Sequence, residues 1–309
     1  MSLNNDLFSK TLTIGTFDGV HIGHQKILEK VVNLSQANNQ IPSVLTFFPH
    51  PRMVLHQDKS IKLLNTISER KLLLEKFGIE LICVKTFTKE FSKLSAEEYV
   101  KGILIDELNA KQIVIGYDHH FGKNRSANIT DLKKFAKEFN FEIEEISAKD
   151  IENVTISSTK IRNALVNGNV SLANSYLGYN YFLTGRVVKG QKIGRTLDFP
   201  TANIYIEEDY KLIPKDGVYV VKAKIEDTHY FGMMNIGLNP TIENKPRSIE
   251  VHFFDFKKDV YGKQIVIEML TRLRDEHKFN SIDALKTQLK SDKKNALAYI
   301  KSKNEYVSF

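Results

Sequence analysis

Along the first half of the chain, short apolar runs alternate with longer stretches whose apolar positions recur at helical spacing. Residues 12–15, 43–48, 81–85, 113–116 and 141–146 read as the short strands of a parallel sheet wrapped by helices. Between two of them, residues 95–108 read as a helix, because Ser95 stands ahead of the periodic run and Glu98 follows three places on, forming a capping box. Strand and helix in alternation predict an α/β doubly wound, nucleotidyltransferase-like domain. The pattern changes near residues 178–182 (Gly-Tyr-Asn-Tyr-Phe), beyond which strand-like runs follow one another with turn residues and few helices. Runs at 182–188, 202–206, 217–225, 230–236, 248–254 and 264–273 predict a six-stranded antiparallel β-barrel. A last helix, about 281–301, is expected to pack against it. The expected domains are 1–180 and 181–309.

Composition supports this division. A length of 309 residues exceeds the size at which a single core usually stops growing. With 42% hydrophobic and 26% charged residues, and only 16 Gly and 7 Pro, the chain is expected to be globular. Its single cysteine, Cys83, sits in an apolar run and reads as a packed thiol, so no disulfide can form within the chain. No signal segment opens the sequence and no stretch has the roughly 18 uninterrupted apolar residues of a membrane span, so a cytoplasmic protein without a membrane partner is expected. The formal charge of +7 favours anionic partners, but the lysines are interspersed with acids, and nucleotide phosphates account for them as well as nucleic acid would.

The first predicted strand runs into Gly15-Thr16-Phe17-Asp18-Gly19-Val20-His21-Ile22-Gly23-His24-Gln25. In an open parallel sheet the ligand crevice lies beyond the carboxyl ends of the strands, and the start of the next helix offers free N–H groups to an anion. His21 and His24, three apart, share one helix face and can both donate to phosphate oxygens, although two solvated histidines would give the same spacing. Later, Ile156-Ser157-Ser158-Thr159-Lys160-Ile161-Arg162 sets three hydroxyls ahead of an apolar-periodic helix, with Lys160 and Arg162 available to meet charge. By itself that is an ordinary helix cap.

Together the two motifs resemble the nucleotidyltransferase superfamily. The longer segments 15–25, 46–51 (Thr-Phe-Phe-Pro-His-Pro), 116–125 and 156–162 resemble, in order and spacing, the FMN adenylyltransferase module of bacterial FAD synthetases. The resemblance implies in-line attack of the FMN phosphate on the α-phosphorus of ATP, giving FAD and pyrophosphate. It assigns Gly15, Phe17, Asp18, His21, His24, Ser158, Thr159 and Arg162 to ATP, and Asp118 and Arg125 to the flavin side. The chain departs from the family pattern at His119, where an aromatic is usual, and at Ala127, where glycine is usual.

In the second half, glycines at 185, 190 and 194 interspersed with lysines allow a backbone to approach phosphates, or simply make a flexible hairpin. In Pro200-Thr201-Ala202-Asn203 the threonine and asparagine fall on one strand face, presenting two neutral oxygens of the kind Mg²⁺ accepts beside phosphate and water. They could equally be satisfied by neighbouring backbone. In Ser248-Ile249-Glu250-Val251-His252-Phe253, Glu250 and His252 share the face opposite Ile249, Val251 and Phe253. Glu250 is then a solvent-facing spacer or a site residue. The succession Gly185-x-Val-Val-x-Gly190, Gly194-Arg, Phe199-Pro-Thr-Ala-Asn203, Gly217-Val-Tyr, Asn235-Ile-Gly-x-x-Pro-Thr241, Glu250-x-His252 and Asp259-Val-Tyr-Gly262 resembles riboflavin kinase. This implies γ-phosphoryl transfer from Mg-ATP to riboflavin, with Glu250 as general base. Thr201 and Asn203 would hold Mg²⁺, and Gly190, Lys192 and Gly194 would lie in the loop over ATP. Asp198 stands where that family commonly has glycine.

The whole chain therefore resembles the bacterial bifunctional riboflavin kinase/FAD synthetase family, with riboflavin, FMN, FAD and ATP as expected partners. Nucleic acid is not expected, and oligomerisation is left open. Two other readings stay open on sequence: a kinase with an impaired amino-terminal half, motivated by His119 and Ala127, and a non-catalytic flavin-sensing or RNA-binding regulator, motivated by the net charge.

Overall fold

The computed structural model describes residues 8–55, 60–116, 119–147, 156–190, 194, 197–237 and 247–303. By contacts the chain divides into two units, Met1–Ser158 and Thr159–Phe309.

The first unit alternates strand and helix: β1 (Lys10–Ile14), α1 (Ile22–Ala37), β2 (Ile41–Phe48), α2 (Pro51–Leu55), α3 (Ile67–Lys76) and β3 (Leu81–Thr86). After these come α4 (Ala96–Glu98), β4 (Ala110–Gly116), α5 (Ile129–Phe139) and β5 (Glu142–Ile146). The predicted capping box is present, with Glu98 N–H on Ser95 Oγ at 3.1 Å and Ser95 N–H on Glu98 Oε2 at 2.8 Å. The helix it starts becomes π-helical over Tyr99–Glu107 instead of remaining α. All five strands are parallel, in the order β3-β2-β1-β4-β5. The order reverses beside β1, which is buried at all five positions, so the loop leaving β1 emerges at the topological switch point. Leu12, Leu45, Ile113, Ile115, Leu104 and Tyr99 form the core of one sheet face.

The second unit begins on the helix α6 (Ser158–Val166) and continues through α7 (Val170–Leu177), β6 (Phe182–Val188), β7 (Ala202–Tyr205), β8 (Gly217–Ile225) and β9 (Thr228–Gly237). It ends with β10 (Ser248–Phe253), β11 (Gln264–Arg274) and α8 (Ile282–Ser302). The six strands close into an antiparallel barrel in the order β10-β7-β6-β11-β8-β9. Strand β10 alternates as its sequence predicted, with Ile249, Val251 and Phe253 buried and Ser248, Glu250 and His252 partly exposed. The shortest seam joins β7 to β10 through two paired positions, Asn203 with Glu250 and Ala202 with Val251.

Helix α8 covers the barrel as expected. Its Ala296 and Ile300 join Phe199, Val220, Met233 and Leu270 in a second core. Asp292, 2% exposed, fixes it in place. Arg274 donates to both carboxylate oxygens, Nε to Oδ1 at 3.0 Å and Nη2 to Oδ2 at 2.7 Å, and Gln288 donates to Oδ1 at 2.8 Å.

Candidate active sites

The loop between β1 and α1 is folded against its own preferences. Phe17, Gly19 and Val20 all have positive φ, at 46°, 90° and 37°. Two of these are L-residues with bulky side chains, so the conformation persists only because contacts from elsewhere hold it. Asp18 supplies several. Its side chain is 1% exposed, and its carboxylate accepts the N–H groups of Leu64 at 2.9 Å and Asn65 at 3.4 Å. Asn65 Oδ1 accepts from Gly19 N–H at 2.9 Å, and Ser158 Oγ donates to the Asp18 carbonyl at 2.8 Å. Thr46, at the end of β2, donates to the Thr16 carbonyl at 3.1 Å. Asp18 is thus turned into the protein, where it organises the loop.

His21 caps α1, its Nδ1 accepting the His24 N–H at 3.4 Å. The two imidazoles stack at 3.7 Å between centroids, 17° from parallel, and Phe17 leans on His24 at 5.1 Å. Burial pushes the pKa of His21 down to about 4, against a smaller upward pull from Asp18. Burial, then His21, then the Arg70 cation hold His24 well below the ordinary imidazole value. Both rings are therefore neutral at pH 7. Among the described residues His24 Nδ1 is buried without a hydrogen-bond partner. Neutral rings can donate a hydrogen bond to phosphate without a permanent charge of their own.

Ser158 opens α6, on which Thr159 and Arg162 follow. Arg125 ends a short 3₁₀ turn at φ 58°. Asp118 lies outside the described residues. The departure at Ala127 has a plain explanation: Ala127 pairs with Phe121 through two backbone hydrogen bonds, at 3.0 and 3.1 Å, and its methyl group is buried in the core. It has no positive φ for a glycine to relieve. His119 stacks on Phe121 at 6.0 Å and 23°, at one end of a row of rings that continues through Tyr99 and Phe91 to Phe47.

The sequence pattern did not single out Asn65 or Arg70, and it gave no separate role to Thr46, which opens segment 46–51. A charged residue on a helix reads as solvent-facing, yet Arg70 is only 1% exposed. The one available signal was the Thr66–Glu69 capping box, which fixes the start of α3 and so the inward direction of the next residue.

In the second unit the β7–β10 seam brings the predicted residues together. Thr201 Oγ1 donates to Glu250 Oε2 at 3.0 Å, Ser248 approaches Oε1 at 3.5 Å, and Asn203 is the direct cross-strand partner of Glu250. On the other side Glu250 faces Asn235 of β9, whose amide donates to Glu276 at 3.2 Å; neither residue was assigned a role from sequence. Gly190 lies so close over the Asn203 amide that an added Cβ would collide with it, and a Cβ on Gly194 would strike the Phe199 carbonyl. Both glycines are needed for close approach. Lys192 lies outside the described residues. Asp198 has φ 64°, which explains why glycine suits the position, and its carboxylate pairs with Lys286 of α8 at 2.7 Å, which lowers its pKa. The carboxylate is thereby neutralised.

Beside Thr201 opens a cavity of about 420 Å³, walled by Val187, Ala202, Phe253, Val260 and Tyr261, with Lys257 on its lining. Its apolar walls and adjoining oxygens suit a flat heteroaromatic ring carrying phosphates. Thr201 and Asn203 offer neutral hard oxygens of the kind that fits Mg²⁺ shared with phosphate and water. No cluster of three or more His, Cys, Asp or Glu that could hold a metal alone occurs among the described residues. A polar cavity of about 450 Å³ near Asn169 and Thr271 contains Arg272 and Arg274, but these already pair with Asp275 and Asp292.

A neutral histidine pair at a sheet switch point and a carboxylate beside neutral oxygens on a barrel seam are compatible with a transferase of phosphorus-containing groups. Comparison with known proteins narrows this. The FAD synthetase family model matches residues 4–160 and the riboflavin kinase model residues 177–300. The chain is 40% identical over 294 residues to the bifunctional riboflavin kinase/FMN adenylyltransferase of Bacillus subtilis (strain 168), covering 93% of this chain and 92% of that one. It is 38% identical to the protein of the same name from Listeria monocytogenes serovar 1/2a over 293 residues, 94% and 92% of the two chains. A solved chain from Streptococcus pneumoniae, described as a macrolide-efflux protein, superposes with a TM-score of 0.82 at 34% identity, covering 94% and 96%. Among the described residues no helix is long and apolar enough to cross a membrane. The chain belongs to the bifunctional riboflavin kinase/FMN adenylyltransferase family.

Proposed function

We propose that the chain phosphorylates riboflavin to FMN at the barrel and adenylylates FMN to FAD at the parallel sheet, with ATP as donor in both steps. The observation that carries the kinase half is the Thr201–Glu250 hydrogen bond on a seam where Asn203 stands opposite Glu250. Glu250 accepts the proton of the terminal ribityl hydroxyl as its oxygen attacks the γ-phosphorus, and ADP departs. Thr201 and Asn203 hold the phosphate end of the nucleotide with Mg²⁺, whose contribution is to neutralise charge on the transferring phosphoryl group. The cavity beside Thr201 takes the adenine, and the resemblance assigns Gly190, Lys192 and Gly194 to the phosphates.

In the first unit the FMN phosphate displaces pyrophosphate from the α-phosphorus without a covalent enzyme intermediate, so the protein contributes position and charge neutralisation. His21 and His24 donate to phosphate oxygens, and the motif assigns Ser158, Thr159 and Arg162 to the same phosphates. Asp118 and Arg125 are assigned to the flavin side. Gly15, Phe17 and Asp18, assigned to ATP by the same motif, shape the loop that carries the histidines.

Chromatographic separation of flavins tests both halves. Riboflavin with Mg-ATP should give FMN first and FAD later, and FMN with Mg-ATP should give FAD directly. Glu250→Gln should bind riboflavin but lose FMN formation by on the order of a hundredfold or more. Retained turnover would remove Glu250 from this role. FMN accumulation without FAD would leave only the kinase.

A further inference from the structure

Arg70 belongs to none of the motifs that carried the functional reading, and it is among the most completely buried charges in the protein. A guanidinium removed from water is tolerated only when its donors and charge are met. Here the charge lies against Asp18 and one nitrogen, Nη1, donates twice, so that two separate pieces of the adenylyltransferase site bear on it. Nη1 donates to Thr46 Oγ1 at 3.1 Å and to the Phe47 carbonyl at 3.3 Å, and Nη2 lies 4.0 Å from Asp18 Oδ1. Thr46 in turn holds the Thr16 carbonyl, and Asp18 organises the strained turn through Leu64 and Asn65. One planar fork therefore ties the end of β2 and the β1–α1 loop to α3, with contacts in directions that a single ammonium could not satisfy together.

We propose that Arg70 is a positioning residue for adenylyl transfer: from beneath the loop it fixes Asp18, Thr46 and the Phe47 carbonyl, and so holds the stacked His21–His24 pair in the arrangement that meets the nucleotide phosphates. It does this without touching substrate. The inference rests on the adenylyltransferase reading of the first unit. The loop needs such a brace because Phe17 and Val20 would leave their positive-φ conformations if released, and α1 begins at His21, directly after them. The fixed cation also acts through space. Of the charged and titratable groups bearing on the imidazoles, Asp18 favours protonation of His21, whereas Arg70 and the neighbouring ring disfavour protonation of His24. Burial is the largest cause of His24's depressed pKa, and Arg70 adds to it in keeping the inner ring a neutral donor.

The test uses the full chain, with the kinase reaction as an internal control. Arg70→Met should lower kcat for FAD formation from FMN by on the order of a hundredfold, the scale of a small misplacement of catalytic groups, with KM for FMN changed less than about threefold. FMN formation from riboflavin by the same preparation should stay at the wild-type rate. Arg70→Lys should recover part of the lost kcat, because it restores the charge but not the fork. NMR titration of the histidine rings should show the His24 pKa raised in Arg70→Met and still depressed in Arg70→Lys, a shift that a purely structural residue would not produce. If Arg70→Met does not fold, the Asp18→Asn/Arg70→Met double variant removes both buried charges, and the same loss of FAD formation and the same His24 shift are expected. FAD formation within about threefold of wild type in any folded variant lacking the guanidinium, or an unchanged His24 titration, overturns the proposal. A wild-type chain that makes no FAD refutes the adenylyltransferase reading instead, and the His24 titration still decides whether Arg70 sets the state of that ring.

Discussion

Acidification should loosen the amino-terminal unit through one identifiable ring. His21 is 7% exposed, and its pKa falls from 6.5 to about 4 on folding. The folded state therefore favours the neutral ring. Between pH 6.5 and 4 the unfolded chain binds a proton that the folded chain does not, so stability rises with pH across this window and is lost as pH falls. Going from pH 7 to pH 5, the linkage amounts to about 2 kcal/mol for this group alone. His24 is depressed in the same direction and stacked on His21, so the two titrate as a coupled pair and His24 can only add to the effect. His21→Asn isolates the contribution, because asparagine cannot titrate yet keeps an oxygen to cap α1. Urea unfolding at pH 7, 6 and 5, followed by amide exchange in β1 and β2, should show wild type losing about 2 kcal/mol more than His21→Asn between the ends of the range. Parallel pH profiles would mean that the ring is solvated or already protonated, and would refute the account of the loop given above.

Gly190→Ala should damage the kinase alone: its Cβ collides with the Asn203 amide, and displacing that amide by about an ångström should cost up to a hundredfold in FMN formation while FMN-to-FAD conversion is unchanged. Asp292→Ala should remove the carboxylate that pins α8 through Arg274, at a cost of about 3 kcal/mol, lowering the barrel's calorimetric Tm by roughly 6–12 °C.

Much of this architecture was legible because burial follows period. Strand β10 alternates strictly, so Glu250 could be placed on the face opposite Val251 before any coordinates, and the Thr201–Asn203 pair followed from the same rule. The doubly wound class and the six barrel strands were readable for that reason, with ends displaced by up to three residues. The concealed features are those in which a polar residue does what polar residues seldom do. Asp18 and Arg70 are buried, and no hydropathy pattern distinguishes them from surface charges. Asp198 could be flagged as a carboxylate in a glycine position, but its pairing with Lys286 depends on a helix 88 residues further along the chain. Asn235 and Glu276 come together only because the barrel closes.

That closure has a cost in robustness. Among the described residues the ladder that completes the cylinder is its shortest, and one of its two rungs pairs Glu250, the proposed proton acceptor, with Asn203. Fraying there would separate base from ligand well before the remaining four strands noticed. Turnover at this centre is therefore a gauge of how tightly the ring of strands is shut, and anything that clamps the seam, a bound nucleotide above all, should rigidify the scaffold and assemble the chemistry in one event.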